Sequence, residues 1–185
     1  VSVALRTGAL AHDGSADRGV LRQFVIAPYR TVEQDPAFGI LQIVDIALKA
    51  LSPGVNDTTT AVACVDHLGA VLACLGPRTI PARIRGDDQP RLIARGPTFD
   101  SLVSLALDDV RRNAEGNVRV LHGLFDALDI AGRHARDADR RAILLQHVVR
   151  VDAVGERSVV ALDDLRQLRQ HAEHVRRSLS AKGVE

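Results

Sequence analysis

The 185-residue chain has no methionine and no tryptophan, and only one tyrosine and four phenylalanines. With aromatics at 3%, it lacks the stacking platforms on which single-stranded nucleic acid is usually read. Charge of one sign is missing as well. The 24 basic and 23 acidic residues leave a net +1, so no global field favours nucleic acid or a membrane surface. Without a methionine, Val1 does not read as a natural start, and the chain is expected to be cut from something longer. Lysine is scarce too: only Lys49 and Lys182 accompany the arginines. The two cysteines, Cys64 and Cys74, are ten residues apart on one apolar segment. That is about 15 Å of helix rise, beyond disulfide reach within one helix, and both are expected to be small core residues.

Long clean apolar runs are also absent. Residues 38–51 are interrupted by Gln42, Asp45 and Lys49, and residues 61–75 by Asp66 and His67. Neither supplies the roughly 20 apolar residues that span a bilayer, so both are expected to be buried helices of a soluble domain. Hydrophobic residues at 46% and charged ones at 25% fit an ordinary globular chain.

What is present is mostly helical patterning. Val1, Val3 and Leu5 alternate with polar or small residues, and a second apolar run covers 20–27. Residues 1–30 therefore read as a small β element, continuing from residues before Val1. Asp35 is placed to cap a helix that begins at Pro36 and breaks at Ser52-Pro53-Gly54. Asn56 or Asp57 can cap the next, which runs to about Leu75, so the two helices form an antiparallel hairpin. Residues 78–96 read as a β-hairpin arm around Gly86-Asp87-Asp88-Gln89-Pro90. Helices resume over 99–113 behind Thr98, over 117–134, over 137–151 with Gly155 as the stop, and over 158–180. In the last, Ala161, Leu165, Leu168, Ala172, Val175 and Leu179 form a heptad seam suited to the bundle or to a second copy. The expected fold is mainly α, a bundle of about six helices over 31–185, with the small N-terminal β element and the short β arm.

Unusual polar residues are densest between Arg30 and His67: Arg30, Glu33, Gln34, Asp35, Asp45, Asn56, Asp57, Asp66 and His67. Asp45 and Asp66 lie inside apolar helices, where an unpaired buried carboxylate costs several kcal/mol. One reading is a polar pocket that binds a cation or a polar ligand through Arg30, Asp35, Asp45, Asn56, Asp57, Asp66 and His67. The plainer reading is a structural network in which Arg30 and Lys49 pair with the carboxylates. His171-Ala172-Glu173-His174 puts two imidazoles three apart, but neighbouring Arg169, Arg176 and Arg177 repel a metal, so a solvated face is expected. His122 with Asp126 reads as a surface pair, and His147 as a satisfied core residue. Arg83, Arg85, Arg91 and Arg95 on the arm could meet an anion or acidic lipid headgroups, partly offset by Asp87 and Asp88. No nucleophile elbow, phosphate-cradling loop, cofactor motif or metal-ligand spacing is evident.

The stretch from Arg30 to Gly39, with Gln42 to Asp57 and then Thr59-Thr60-Ala61, Cys64 and Asp66-His67-Leu68, resembles one family. It is similar to the extramembrane C-terminal part of an uncharacterised family of predicted bacterial membrane proteins (domain of unknown function 2254). Thr58 stands where that family's pattern has proline. The resemblance implies membrane-spanning helices before Val1, and a regulatory or assembly domain on the cytoplasmic side of the bacterial membrane. Its partner would be the parent's own transmembrane region, with no nucleic acid and no catalytic residues carried over. A metal-assisted hydrolase using Asp35, Asp45, Asp57 or Asp66 is the alternative, and it needs at least three of these to converge.

Overall fold

Asp35 opens the first helix: its carboxylate accepts the Ala37 amide at 3.0 Å, and Pro36 occupies the first turn. The computed structural model describes residues 3–5, 31–32, 35–80, 84–85, 92–94 and 96–181. In it this helix, α1, runs Pro36–Leu51 and buries Ile40, Val44, Ala47 and Ala50. Ser52 ends it by returning its hydroxyl to the Lys49 carbonyl at 2.7 Å. Asn56 then takes a positive φ of 47°, a turn conformation that asparagine tolerates well. The Asp57 amide donates to the Ala50 carbonyl at 2.8 Å, folding α2 (Thr58–Leu75) back along α1.

Four more helices follow. α3 (Phe99–Asn113) starts with a reciprocal capping box in which Thr98 and Ser101 exchange hydrogen bonds of 2.8 and 3.1 Å. Asn117 caps α4 (Val118–Arg133) and Asp137 caps α5 (Ala138–Ser158). α6 spans Leu162–Ala181. Together these six helices form the bundle that the periodicity predicts. α2 and α4 share the largest helix–helix interface; α1 packs on α2 and α3, α5 and α6 pack on each other and on α4, and α3 also meets α5.

Two boundaries differ from expectation. Gly155 does not stop α5, which continues three residues to Ser158, and α6 begins at Leu162 rather than Ser158. The glycine is spent on packing: it is buried, and a Cβ there would lie 3.5 Å from Leu168 Cδ1 of α6. The heptad seam of α6 is occupied within the chain, with Leu168, Ala172, Val175 and Leu179 buried in the core.

Beside the helices, β1 (Val3–Leu5), β2 (Ile84–Arg85) and β3 (Leu92–Ala94) pair antiparallel in the order β1-β3-β2. Val3 lies opposite Ala94, and Ile84 opposite Ile93. Of the β element expected over 1–30, only Val3–Leu5 is among the described residues; the strand expected over 20–27 lies outside them. The class is all-α with a minimal sheet.

The α1–α2, α3–α4 and α5–α6 turns meet at one end of the bundle. Asn117 Nδ2 donates to Thr58 Oγ1 at 3.0 Å, Ser158 Oγ accepts the Gly116 amide at 2.9 Å, and Arg157 pairs with Glu115 at 2.6 Å. Thr58 thus supplies a hydroxyl that a proline at the same position would lack. At the other end, Arg140 ties α2 to α5 through the Leu75 and Gly76 carbonyls.

Candidate functional site

The two helix-capping carboxylates of the 30–67 cluster are already engaged. Asp35 serves the start of α1. Asp57 serves the start of α2, accepting the Thr60 hydroxyl at 2.5 Å and the Thr60 amide at 3.1 Å. These bonds, the hydroxyl first, hold the Asp57 carboxyl below its ordinary value. The two aspartates stand at opposite ends of the 16-residue helix α1, roughly 24 Å apart at 1.5 Å per residue. They cannot share a ligand.

Asp45 and Asp66 are exposed, which overturns the burial argument made for them, and so are Lys49 and His67. The reason is geometric. A helix apolar on nearly every side need not be surrounded, and α1 buries only the stripe through Ile40, Val44, Ala47 and Ala50. Gln42, Asp45, Ile46 and Lys49 form its outer face. Asn56 is exposed in the turn, and Arg30 lies outside the described residues. The three carboxylates that a metal-assisted hydrolase requires therefore do not converge, and among the described residues no group of three metal-ligating side chains is close enough to hold an ion. Asp45→Asn and Asp66→Asn should each change stability by less than about 0.5 kcal/mol, as exposed substitutions do. Equilibrium urea unfolding checks this, and a loss above 1 kcal/mol in either variant would restore a structural role to that carboxylate.

Of the predicted residues, the structure places Asn56 beside a polar depression of about 540 Å³ at the three-turn end. Leu51, Thr58, Asn113, Gly116 and Asn117 line it with Asn56. Amide and hydroxyl groups dominate, so it offers hydrogen bonds to a polar molecule. Cys64 is buried, and burial raises its thiol pKa; Cys74 is exposed on α2 rather than in the core as expected. Cys74 borders a second groove of about 460 Å³, apolar along Pro36, Ile43 and Val71, with His67 and Arg78 as its polar members. On the arm, Arg85 is described only as backbone of β2, and Arg83, Arg91 and Arg95 lie outside the described residues.

The histidines hold what sequence reasoning missed. His147 is buried on α5 but not satisfied: its Nδ1 has no hydrogen-bond partner and lies 3.8 Å from Asp108 Oδ1. Burial, then the nearby Arg150, holds its pKa below the ordinary imidazole value. Asp108 is also within 3.8 Å of Arg111, Arg112 and Arg150, so its charge is shared. His122 is not a surface partner of Asp126. It meets His171 of α6 with 2.8 Å between the two Nδ1 atoms, and Asp126 instead approaches His171 Nε2 at 3.3 Å. A separation of 49 residues carries no periodic signal, so only the paired helices reveal the contact.

The model of the family described as "Predicted membrane protein (DUF2254)" matches residues 3–129. The chain belongs to this family. The match runs from β1 into α4 and takes in every residue of the 30–67 cluster; α5 and α6 follow it. An uncharacterized protein of Mycobacterium bovis and two of Mycobacterium tuberculosis are each 34% identical to the chain over 139 residues. That stretch is 74% of this chain, but the chain spans only 27% of the relatives' length. No solved structure matches it. Membership supports membrane association of the protein, and it bears on α2. Contrary to the reading of 61–75 as too short, Thr58–Leu75 is by length and composition one helix able to cross a membrane. In the bundle it packs against α1 and α4, with 39% of the segment buried.

Proposed function

We propose that this chain is the extramembrane regulatory or assembly part of a bacterial integral membrane protein, exposed on the cytoplasmic side, with spanning segments elsewhere in the parent. It comprises a small β element over 1–30 and a helical domain over 31–185. The observation that carries the reading is the use made of α2. The one described helix long and apolar enough to span a bilayer lies in the bundle, where Ala61, Val65, Leu68 and Leu72 are buried against neighbouring helices. A chain of a membrane-protein family whose six helices close one shared core leaves membrane insertion to the rest of the molecule. The α6 seam serves the bundle, so contact with the parent's transmembrane region falls to outer surfaces.

Expression of the 185-residue chain alone tests this. Under the proposal it partitions into the aqueous fraction after alkaline carbonate washing, while the full-length parent remains with the membranes. Retention of the isolated chain in the washed membranes would assign α2 as a span and overturn the reading. The side is tested by labelling Cys74 in intact spheroplasts with a membrane-impermeant maleimide, against a Cys74→Ser control. Labelling only after permeabilisation places the domain in the cytoplasm.

A further inference from the structure

α6 is held on two sides by unlike chemistry. Toward α5 it is fastened by arginine–carboxylate pairs, Arg169 with Glu156 and Arg176 with Asp152, the latter at 2.5 Å. Toward α4 the polar links are the imidazole pair and, nearer the C-terminus of α6, a hydrogen bond from the Ser178 hydroxyl to Asp129. His122 and His171 stack with centroids 5.1 Å apart, Phe125 of α4 lies 5.4 Å from the His171 ring, and both histidines are only partly exposed.

A 2.8 Å contact between two Nδ1 atoms requires one to donate and the other to accept. The pair therefore holds a single shared proton between the rings. With Asp126 at 3.3 Å, His171 Nε2–H faces a carboxylate. A first added proton gives an imidazolium–imidazole pair, still hydrogen-bonded and offset by Asp126. A second puts N–H on both facing nitrogens and breaks the bond. We propose that His122 and His171 form a proton-operated latch that holds α6 on α4 near neutral pH and loosens it in mild acid, leaving α6 fastened to α5.

The surroundings agree. From α4 itself Asp126 faces the pair; from α6, Asp164 is the other carboxylate whose charge reaches His122. α2 approaches through the apolar side chains of Val62 and Val65 beside Gly123. One turn further along the seam, Asp129 of α4 accepts the Ser178 hydroxyl of α6, pairs with Arg133 on its own helix and feels His174 of α6; this link carries no imidazole and keeps its bond in mild acid. Burial, followed by the charge of His171, holds the His122 pKa below its ordinary value, the direction a shared-proton pair imposes. A detached α6 leaves both imidazoles to titrate near 6.5, so it binds one proton more than the latched form. Attachment is then fully present above that pH and is lost as the pH falls below it, by up to about tenfold per unit. The latch acts in the same way whether or not the rest of the protein crosses a membrane.

Hydrogen exchange of the full chain at pH 7.5, 6.5 and 5.5, corrected for intrinsic rates, tests this. Protection of α6 amides should fall roughly 3- to 10-fold between pH 7.5 and 5.5, the worth of one hydrogen bond, while α1 and α2 change little. In His171→Phe, which keeps a ring against Phe125 but carries no proton, that pH dependence should vanish. Should this variant fail to fold, His122→Gln serves the same purpose. Ring NMR titration of the wild type should show the pair taking up its protons in two separated steps. Equal acid sensitivity in wild type and variant, or two independent titrations near 6.5, would overturn the latch. Stabilisation by zinc at pH 7.5 that both variants abolish would also overturn it, assigning the pair to metal binding.

Discussion

Gly69→Leu is expected to lower the melting temperature by roughly 6–12 °C, about 3 kcal/mol at the sensitivity usual for a chain of this size. Gly69 lies where α2 and α4 come closest. A Cβ built on it would sit 2.8 Å from Ala127 Cα and 2.9 Å from Ala127 Cβ. Backbone atoms of a helix cannot step aside alone, so any side chain there drives the two helices apart. The cost spreads along their shared core, in which Ala61, Val65 and Leu68 face Val120, Leu124 and Leu128, all buried. Gly69→Ala sets two effects against each other. Alanine gains about 1 kcal/mol of helix propensity over glycine, and overpacking costs about 1–3 kcal/mol. A contact below 3 Å with backbone places the second effect ahead, so alanine should still destabilise, though by less than leucine. Ala127→Gly should return part of the loss in the Gly69→Ala background, a coupling that a double-mutant cycle by urea unfolding measures. A Gly69→Leu melting temperature within 2 °C of wild type would show that the helices do not meet as described.

The residues that begin helices were readable because a cap acts within three positions. Asp35, Thr98, Asn117 and Asp137 each cap the helix expected behind them, and of the two candidates in the first turn Asp57 does so while Asn56 turns the chain. Gln42, Asp45 and Lys49 fall at spacings that put them on one narrow stripe of 38–51, and that stripe is the outer face; so little polar surface reads as a central helix, which puts Asp45 in a core from which the structure excludes it. The same limit applies to α2, whose Asp66, His67 and Cys74 are all exposed. Gly155 read as a stop because glycine weakens helices; its packing against Leu168 depends on a partner 13 positions away. The site was legible only in part. The family signature marks the α1–α2 hairpin, yet its charged residues are split between capping and the outer surface. The contacts that join histidines across helices leave no mark in either helix alone.

Arg140 is the buried cation that nothing in its own helix announces, and its removal should be nearly as damaging as the clash at Gly69. It sits on the first turn of α5, 8% exposed, with one guanidinium nitrogen donating to the Leu75 carbonyl at 3.0 Å and the Gly76 carbonyl at 2.6 Å. Those oxygens belong to the end of α2, past its last helical amides, where each also accepts one backbone amide, from Arg78 at 3.1 Å and Arg136 at 3.2 Å. The guanidinium also stands 4.8 Å over the Phe99 ring, so one side chain joins α2, α3 and α5. Hydrogen bonds from a charged donor are worth about 1.5–3 kcal/mol, and a partly desolvated cation–π contact about 0.5–2 kcal/mol. Arg140→Met keeps the aliphatic stem against Phe99 but removes the charged donor, leaving the Leu75 and Gly76 carbonyls with one backbone amide each, from Arg78 and Arg136. We expect a loss of about 3 kcal/mol in urea unfolding, with the amides of the last turn of α2 exchanging faster before the rest of the helix. Arg140→Lys retains the charge on a shorter stem and without the guanidinium plane over Phe99, so it should recover no more than about half of that loss. If methionine and lysine proved equally damaging, the charge would count for nothing and the guanidinium's reach and plane for everything. If methionine cost less than 1 kcal/mol, the Arg78 and Arg136 amides would suffice for the end of α2, and Arg140 would be a passenger in the core.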